Sequence, residues 1–136
     1  MSQENVEVVR RSIDAYNGHD VDSLLDIYDT LFTPDVEWYP AMGAIEGEVF
    51  RGRDGVEVYF RRLIDAWEEI RVVAEEVRDL GDRVLVLGRL AGRGSSSGVP
   101  VESPVALIYD LRSGRICRVR VFLDLGEALR AAGLTE

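Results

Sequence analysis

The first third of the chain carries a helical period. Val6, Val9, Ile13 and Tyr16 recur at three- or four-residue spacing, so residues 4–16 are predicted to form an amphipathic helix. Ser2 stands where an N-cap would, and Glu4 falls in the first turn, where a carboxylate meets the positive end of the helix. Asn17-Gly18 closes it, because both residues tolerate a left-handed backbone. Asp20 reads as the cap of a second helix with Val21, Leu24, Leu25, Ile27, Tyr28 and Leu31 on its apolar side, ended by Thr33-Pro34. A third helix is predicted from Asp54 as cap, with Val56, Tyr59, Phe60, Leu63, Ile64 and Trp67 facing a core.

Between the second and third helices the period drops to two. Val36 and Trp38 alternate with Glu37 and Tyr39, a short strand that Pro40 confines to an edge or an end. Residues 41–53 are glycine-rich and read as loop. After the third helix the pattern is mostly strand: residues 69–78, around Ile70, Val72 and Val77, then 83–92, 99–110 and 115–123. Gly81-Asp82 and Arg112-Ser113-Gly114 mark turns, and Gly94-Ser95-Ser96-Ser97-Gly98 a mobile hairpin tip. A last short helix, 125–132, ends at Gly133.

Helices first and strands last imply an α+β fold with helices on one face of a curved sheet. The other face is expected to be open. It would carry Ala106, Ile108 and Phe122 beside Arg118 and Arg120, an apolar area of the kind that forms a subunit interface.

Composition narrows the classes. One domain spanning residues 1–136 is expected from the length. The chain has 25 acidic and 16 basic residues, all of the latter arginine, for a net charge of −9. Such a surface repels phosphate backbones and argues against a nucleic-acid partner. A single Cys117 and a single His19 leave no internal disulfide and no zinc set, and no cofactor motif is present. Gly52-Arg53-Asp54-Gly55 lacks the lysine and the length of a phosphate loop. No apolar run is long enough to cross a membrane, and MSQENVEVVRR does not read as a signal peptide, so a cytoplasmic location is expected.

The ordered motifs YNGHD, PDVEW, FRGRDGVEVYF and GRICRVRVFLDLGEALRAAGL resemble the nuclear transport factor 2-like superfamily, more narrowly its SnoaL-like or ketosteroid-isomerase-like branch. The resemblance covers nearly the whole chain. It implies a cone-shaped, cystatin-like α+β barrel, in which three N-terminal helices wrap a curved mixed or antiparallel sheet around a deep apolar pocket. It also implies a homodimer through the sheet. The superfamily includes ketosteroid isomerases, polyketide cyclases, scytalone dehydratase and limonene epoxide hydrolase, as well as non-catalytic binding and scaffold modules, so the fold alone assigns no reaction.

Position by position, the catalytic sets of those enzymes are missing. The tyrosine, the base and the second carboxyl of the steroid isomerases fall at Ser12, near Pro40 and near Val105. The epoxide hydrolase set meets Trp38, Pro40, Arg89, Ala91 and Val121, which leaves a water without a base. Paired histidines are impossible with His19 alone, and it is placed in an exposed turn.

The expected pocket is therefore greasy, walled by Tyr16, Trp38, Pro40, Tyr59, Leu63, Trp67, Val105, Leu107, Tyr109, Val119, Val121 and Leu123, with Cys117 on the same face. Candidate polar groups are Tyr16, Glu37, Tyr39, Arg89, Glu102 and Asp124. Arg89 could face Glu102 as a polar anchor at the pocket mouth, or form a solvated cross-strand ion pair. Asp124 could serve as an acid or base, or simply cap the last helix. Two readings follow. One is a cofactor-free isomerase, cyclase or hydratase of small apolar carbonyl compounds; the other is a dimeric ligand-binding or scaffold module.

Overall fold

The structure is a computed structural model describing residues 2–18, 20–40 and 48–134. The side chain of Ser2, the residue His19 and residues 41–47 of the expected pocket mouth lie outside the described residues.

Two helices lead the chain, α1 (Ser2–Asn17) and α2 (Val21–Leu31). Asp20 caps α2 as expected, its carboxylate accepting from the backbone N–H groups of Asp22 and Ser23. Strand β1 (Phe32–Tyr39) follows without a loop, and β2 (Phe50–Arg51) is a short strand in a region that reads as loop from sequence. Helix α3 (Gly52–Ala66) starts earlier than expected. Its cap position is Arg51, which has no acceptor to offer, and Asp54 lies inside the first turn, where its charge still favours the helix. The helix also ends earlier: Trp67 is not helical but opens β3 (Trp67–Asp79). Strands β4 (Arg83–Gly94), β5 (Pro100–Arg112) and β6 (Arg115–Phe122), then α4 (Leu125–Ala131), complete the chain.

The six strands form one sheet in the order β2-β1-β6-β5-β4-β3, open at β2 and β3. All neighbours are antiparallel except β1 and β6, which run parallel. The β5–β6 turn has Ser113 at φ 55° and Gly114 at φ 81°, the left-handed pair that suits the twist of a two-residue hairpin. Helices α1 to α3 lie on the concave face and bury one apolar core with Val36 and Trp38 of β1, Val84, Val86 and Leu90 of β4, and Val105, Leu107 and Tyr109 of β5. This is the α+β architecture expected.

The outer face departs from expectation. Its apolar part is not left open: α4 folds back over it, and Leu129, Ala132 and Leu134 pack with Leu85, Leu87, Ile108 and Phe122. Ala106 and Ile108 are 2% and 0% exposed, so the apolar area read as a subunit interface is covered by the chain's own C-terminal helix.

Candidate functional site

The inner wall of the sheet is set by period-two alternation, interrupted once. Asp110 pairs with Arg118 while Leu111 pairs with Ile116, so Cys117 is the extra residue of a β-bulge. The bulge resets the alternation. Ile116 and Val119 face the core, whereas Cys117 sits half-buried outside it, contrary to expectation. Leu123 lies beyond the strand and is 40% exposed, so it is not a pocket residue.

A small cavity of about 20 Å³ lies within the core, lined by Tyr16, Trp38, Tyr59, Val72, Leu90, Val105, Leu107 and Val121. That is room for about one water molecule. Among the described residues, aromatic side chains take up much of the space around this void. Trp38 packs on Tyr59 with ring centroids 5.5 Å apart and meets Phe60 edge-on at 5.4 Å. Tyr16 meets Phe60 edge-on at 5.4 Å. A second void of about 10 Å³, between α1, α2 and α3, is also bordered by Tyr16, together with Leu24, Phe60 and Leu63.

Of the expected wall, Tyr16, Trp38, Tyr59, Val105, Leu107 and Val121 border the central cavity. Leu63 borders the second void, and Tyr109 and Val119 are core beside it. Pro40 is buried but absent from either lining, and Trp67 packs half-buried at the rim of the core. Val72 and Leu90 were missed. Leu90 shares the inner face of β4 with Val84 and Val86.

The polar groups of the cavity are a tryptophan and phenols. Trp38 is 2% exposed, and its Nε1 is buried with no hydrogen-bond partner. It lies near the Tyr59 hydroxyl, which the Tyr16 hydroxyl also approaches as a donor. Burial pushes Tyr59 up to about 12, against which Trp38 and Tyr16 act weakly. Tyr16 and Tyr109 are likewise raised above the ordinary phenol value, chiefly by burial, with the neighbouring phenols adding to it. All three therefore stay protonated at neutral pH and can donate.

The remaining candidates sit elsewhere. Arg89 does not point inward. It bonds Glu75 at 3.0 Å and Glu102 at 2.8 Å on the outer face, with about half of each side chain in solvent, the solvated ion pair of the two alternatives. Glu37 and Tyr39 are also outward, the Tyr39 hydroxyl donating to Glu37 at 2.9 Å. Asp124 accepts from the Glu127 backbone N–H at 3.0 Å, a helix cap. No cluster among the described residues could hold a metal ion.

The family model of the SnoaL-like domain matches residues 9–119. This chain belongs to the SnoaL-like family. No curated protein matches it. Among solved structures, this SnoaL-like chain is similar to a candidate SnoaL-like polyketide cyclase from Jannaschia sp. CCS1, at 25% identity over 99% of this chain and 94% of that one, with a TM-score of 0.77. It shares its fold with TerC co-crystallised with polyporic acid, at 23% identity over 96% and 97% of the two chains and a TM-score of 0.76. It also shares it with a ketosteroid-isomerase-like protein from Catenulispora acidiphila DSM 44928 in complex with trimethylamine, at 23% identity over 94% and 93% and a TM-score of 0.75. Across the described residues of this SnoaL-like chain, no helix is long and apolar enough to cross a membrane.

Proposed function

We propose that this SnoaL-like chain binds a small apolar molecule through one hydrogen-bond-accepting oxygen, held between Trp38, Tyr16 and Tyr59. The observation that carries this reading is the buried Trp38 Nε1 beside a cavity, close to the Tyr59 hydroxyl but without a partner in hydrogen-bond geometry. An unpaired buried N–H costs about 1–3 kcal/mol, which an acceptor oxygen on a ligand would recover. The other polar groups around it are neutral phenols able to donate. A neutral, donor-rich, apolar site favours a carbonyl and disfavours an ammonium group. The ligand complexes of TerC and of the Catenulispora protein support small-molecule binding in this fold.

Ligand pockets usually measure ~300–1,000 Å³, so binding here must move side chains. Tyr16 borders both voids, and its rotation would join them. The likeness to a candidate cyclase keeps an isomerase, cyclase or hydratase as the second reading. The donors supply half of that chemistry by polarising a carbonyl. The described lining offers no carboxylate or imidazole as the base, which favours binding over catalysis. Pairing of two copies through the sheet would have to use the charged part of the outer face that α4 leaves open.

The test compares 9-fluorenone with its near-isostere fluorene, by thermal shift and calorimetry, on the wild type and on Trp38→Phe. Alanine at this position would add a cavity cost of about 3–5 kcal/mol, so phenylalanine is the cleaner change. The wild type is expected to prefer the ketone. Trp38→Phe should weaken fluorenone binding about tenfold and leave fluorene unchanged. Equal ketone affinity in both proteins, or no binding of either compound, refutes the reading.

A further inference from the structure

Beyond the core, the outer face of the sheet gathers cations on a chain whose net charge is −9. Asp110 on β5 stands opposite Arg83 on β4 and Arg118 on β6. Arg120 comes next on β6, opposite Ile108 on β5 and Tyr39 on β1. The three guanidinium groups converge on one carboxylate, at 3.1 Å for Arg83, 3.2 Å for Arg118 and 3.6 Å for Arg120. The Asp110 side chain is only 15% exposed. Three positive charges share one negative one.

The donors are far from used up. Of the three contacts, only that of Arg83 has hydrogen-bond geometry. Arg120 is the most enclosed of the three arginines, its side chain 21% exposed, and its Nε is buried without a partner. Burial works against its charge, Asp110 offsets this, and Arg118 and Arg83 add to the penalty. Among the described residues, the one other carboxylate that feels the cluster is Glu37, whose charge is favoured by Arg118 but which makes no ion pair with it. Glu37, across from Arg118, already accepts from the Tyr39 hydroxyl at 2.9 Å and from Arg51 at 3.2 Å. Like charges on adjoining positions of one sheet face repel, and free arginine side chains would swing apart into water. Guanidinium forks kept together with spare donors match the oxygens of an oxyanion, which they bind in bidentate fashion.

We infer that Arg83, Arg118 and Arg120, arranged around Asp110, form a binding site for a small dianionic oxyanion of the phosphate type. Two charges on the ligand would balance the two left over in the cluster. Asp110 gathers the arginines when the site is empty and competes with the ligand when it is filled. The site is on the opposite side of the sheet from the aromatic cavity and does not depend on it.

Inorganic phosphate is titrated into the full chain at constant ionic strength, with sodium chloride making up the balance, and read by calorimetry and thermal shift. A saturable heat and a rise in Tm are expected with phosphate and not with chloride. Arg118→Met is the first variant, because that side chain is 44% exposed and its loss spares the core. It should bind phosphate about tenfold more weakly. Asp110→Asn removes the competing carboxylate and should bind several-fold more tightly, a change opposite in sign to that of a merely structural ion pair. Phenyl phosphate in a parallel arm separates a phosphomonoester from the free ion, and either order of affinity supports the site. A phosphate response equal to that of chloride overturns the proposal. So does an Arg118→Met protein that binds like the wild type, or an Asp110→Asn protein that binds more weakly.

Discussion

Gly88 has no room for a side chain: a Cβ there would overlap the Val73 carbonyl oxygen and press on the Ala74 backbone. The close approach lies beside the bulge between Ala74 and Glu76 on β3. Gly88→Ala should therefore destabilise the protein on the order of 3 kcal/mol, seen as a lower urea midpoint with an unchanged slope. The neighbouring Arg89 shows why single residues were hard to place from sequence. Both faces of β4 are apolar, Val84 and Val86 inward and Leu85 and Leu87 outward, because α4 buries the outer one. Alternation alone cannot choose a face, so the sequence leaves Arg89 open between the pocket mouth and a solvated cross-strand pair. Cys117 was misplaced for a different reason. A bulge adds a residue on one strand only, and hydropathy along that strand does not reveal its partner's register. Trp38 and Tyr59, by contrast, are legible as core residues, since each lies on the apolar side of its own element.

At the level of elements, types and order were readable while ends and contacts were not. The four helices and the four long strands were recognisable from period and turn residues. The two-residue β2 is too short to carry a period. The direction in which α4 folds is a tertiary choice that its own residues permit without dictating. The strand β3 is a free edge of the sheet, and edges invite pairing with other chains. Asn17, read only as a helix stop, guards it. Its amide donates to the Val72 carbonyl at 2.9 Å and accepts from the Val72 N–H at 2.8 Å, much as a strand residue would. Asn17→Leu removes both bonds and should cost about 2 kcal/mol. A concentration-dependent rise in aggregation on light scattering should accompany it. A variant as stable and as monodisperse as the wild type would show that the edge needs no guard.

Across the whole molecule, buried phenols tie stability to alkaline pH. Tyr59 is raised from 10.0 to about 12, and Tyr16, Tyr28 and Tyr109 are raised too, each chiefly by burial. Above the unfolded value the unfolded chain loses these protons while the folded chain keeps them, so stability falls as pH climbs from about 10. Tyr59 alone accounts for on the order of 3 kcal/mol across its shift. Tyrosinate absorbance from these four should rise late and together with the loss of circular dichroism, the partly exposed Tyr39 aside. An early rise in the still-folded protein larger than one phenol accounts for would mean that the buried phenols are open to water. The sheet order carries one more consequence, for the birth of the chain. Strand β1 supplies Trp38 to the core, yet its long partner is β6, joined by pairs such as Phe32 with Ile116 across most of the sequence. Such distant pairing is slow to form. On the ribosome, the aromatic residues of β1 and α3 must wait until β6 has emerged before that strand can seal them in, so the densest aromatic cluster is the part left open longest during synthesis.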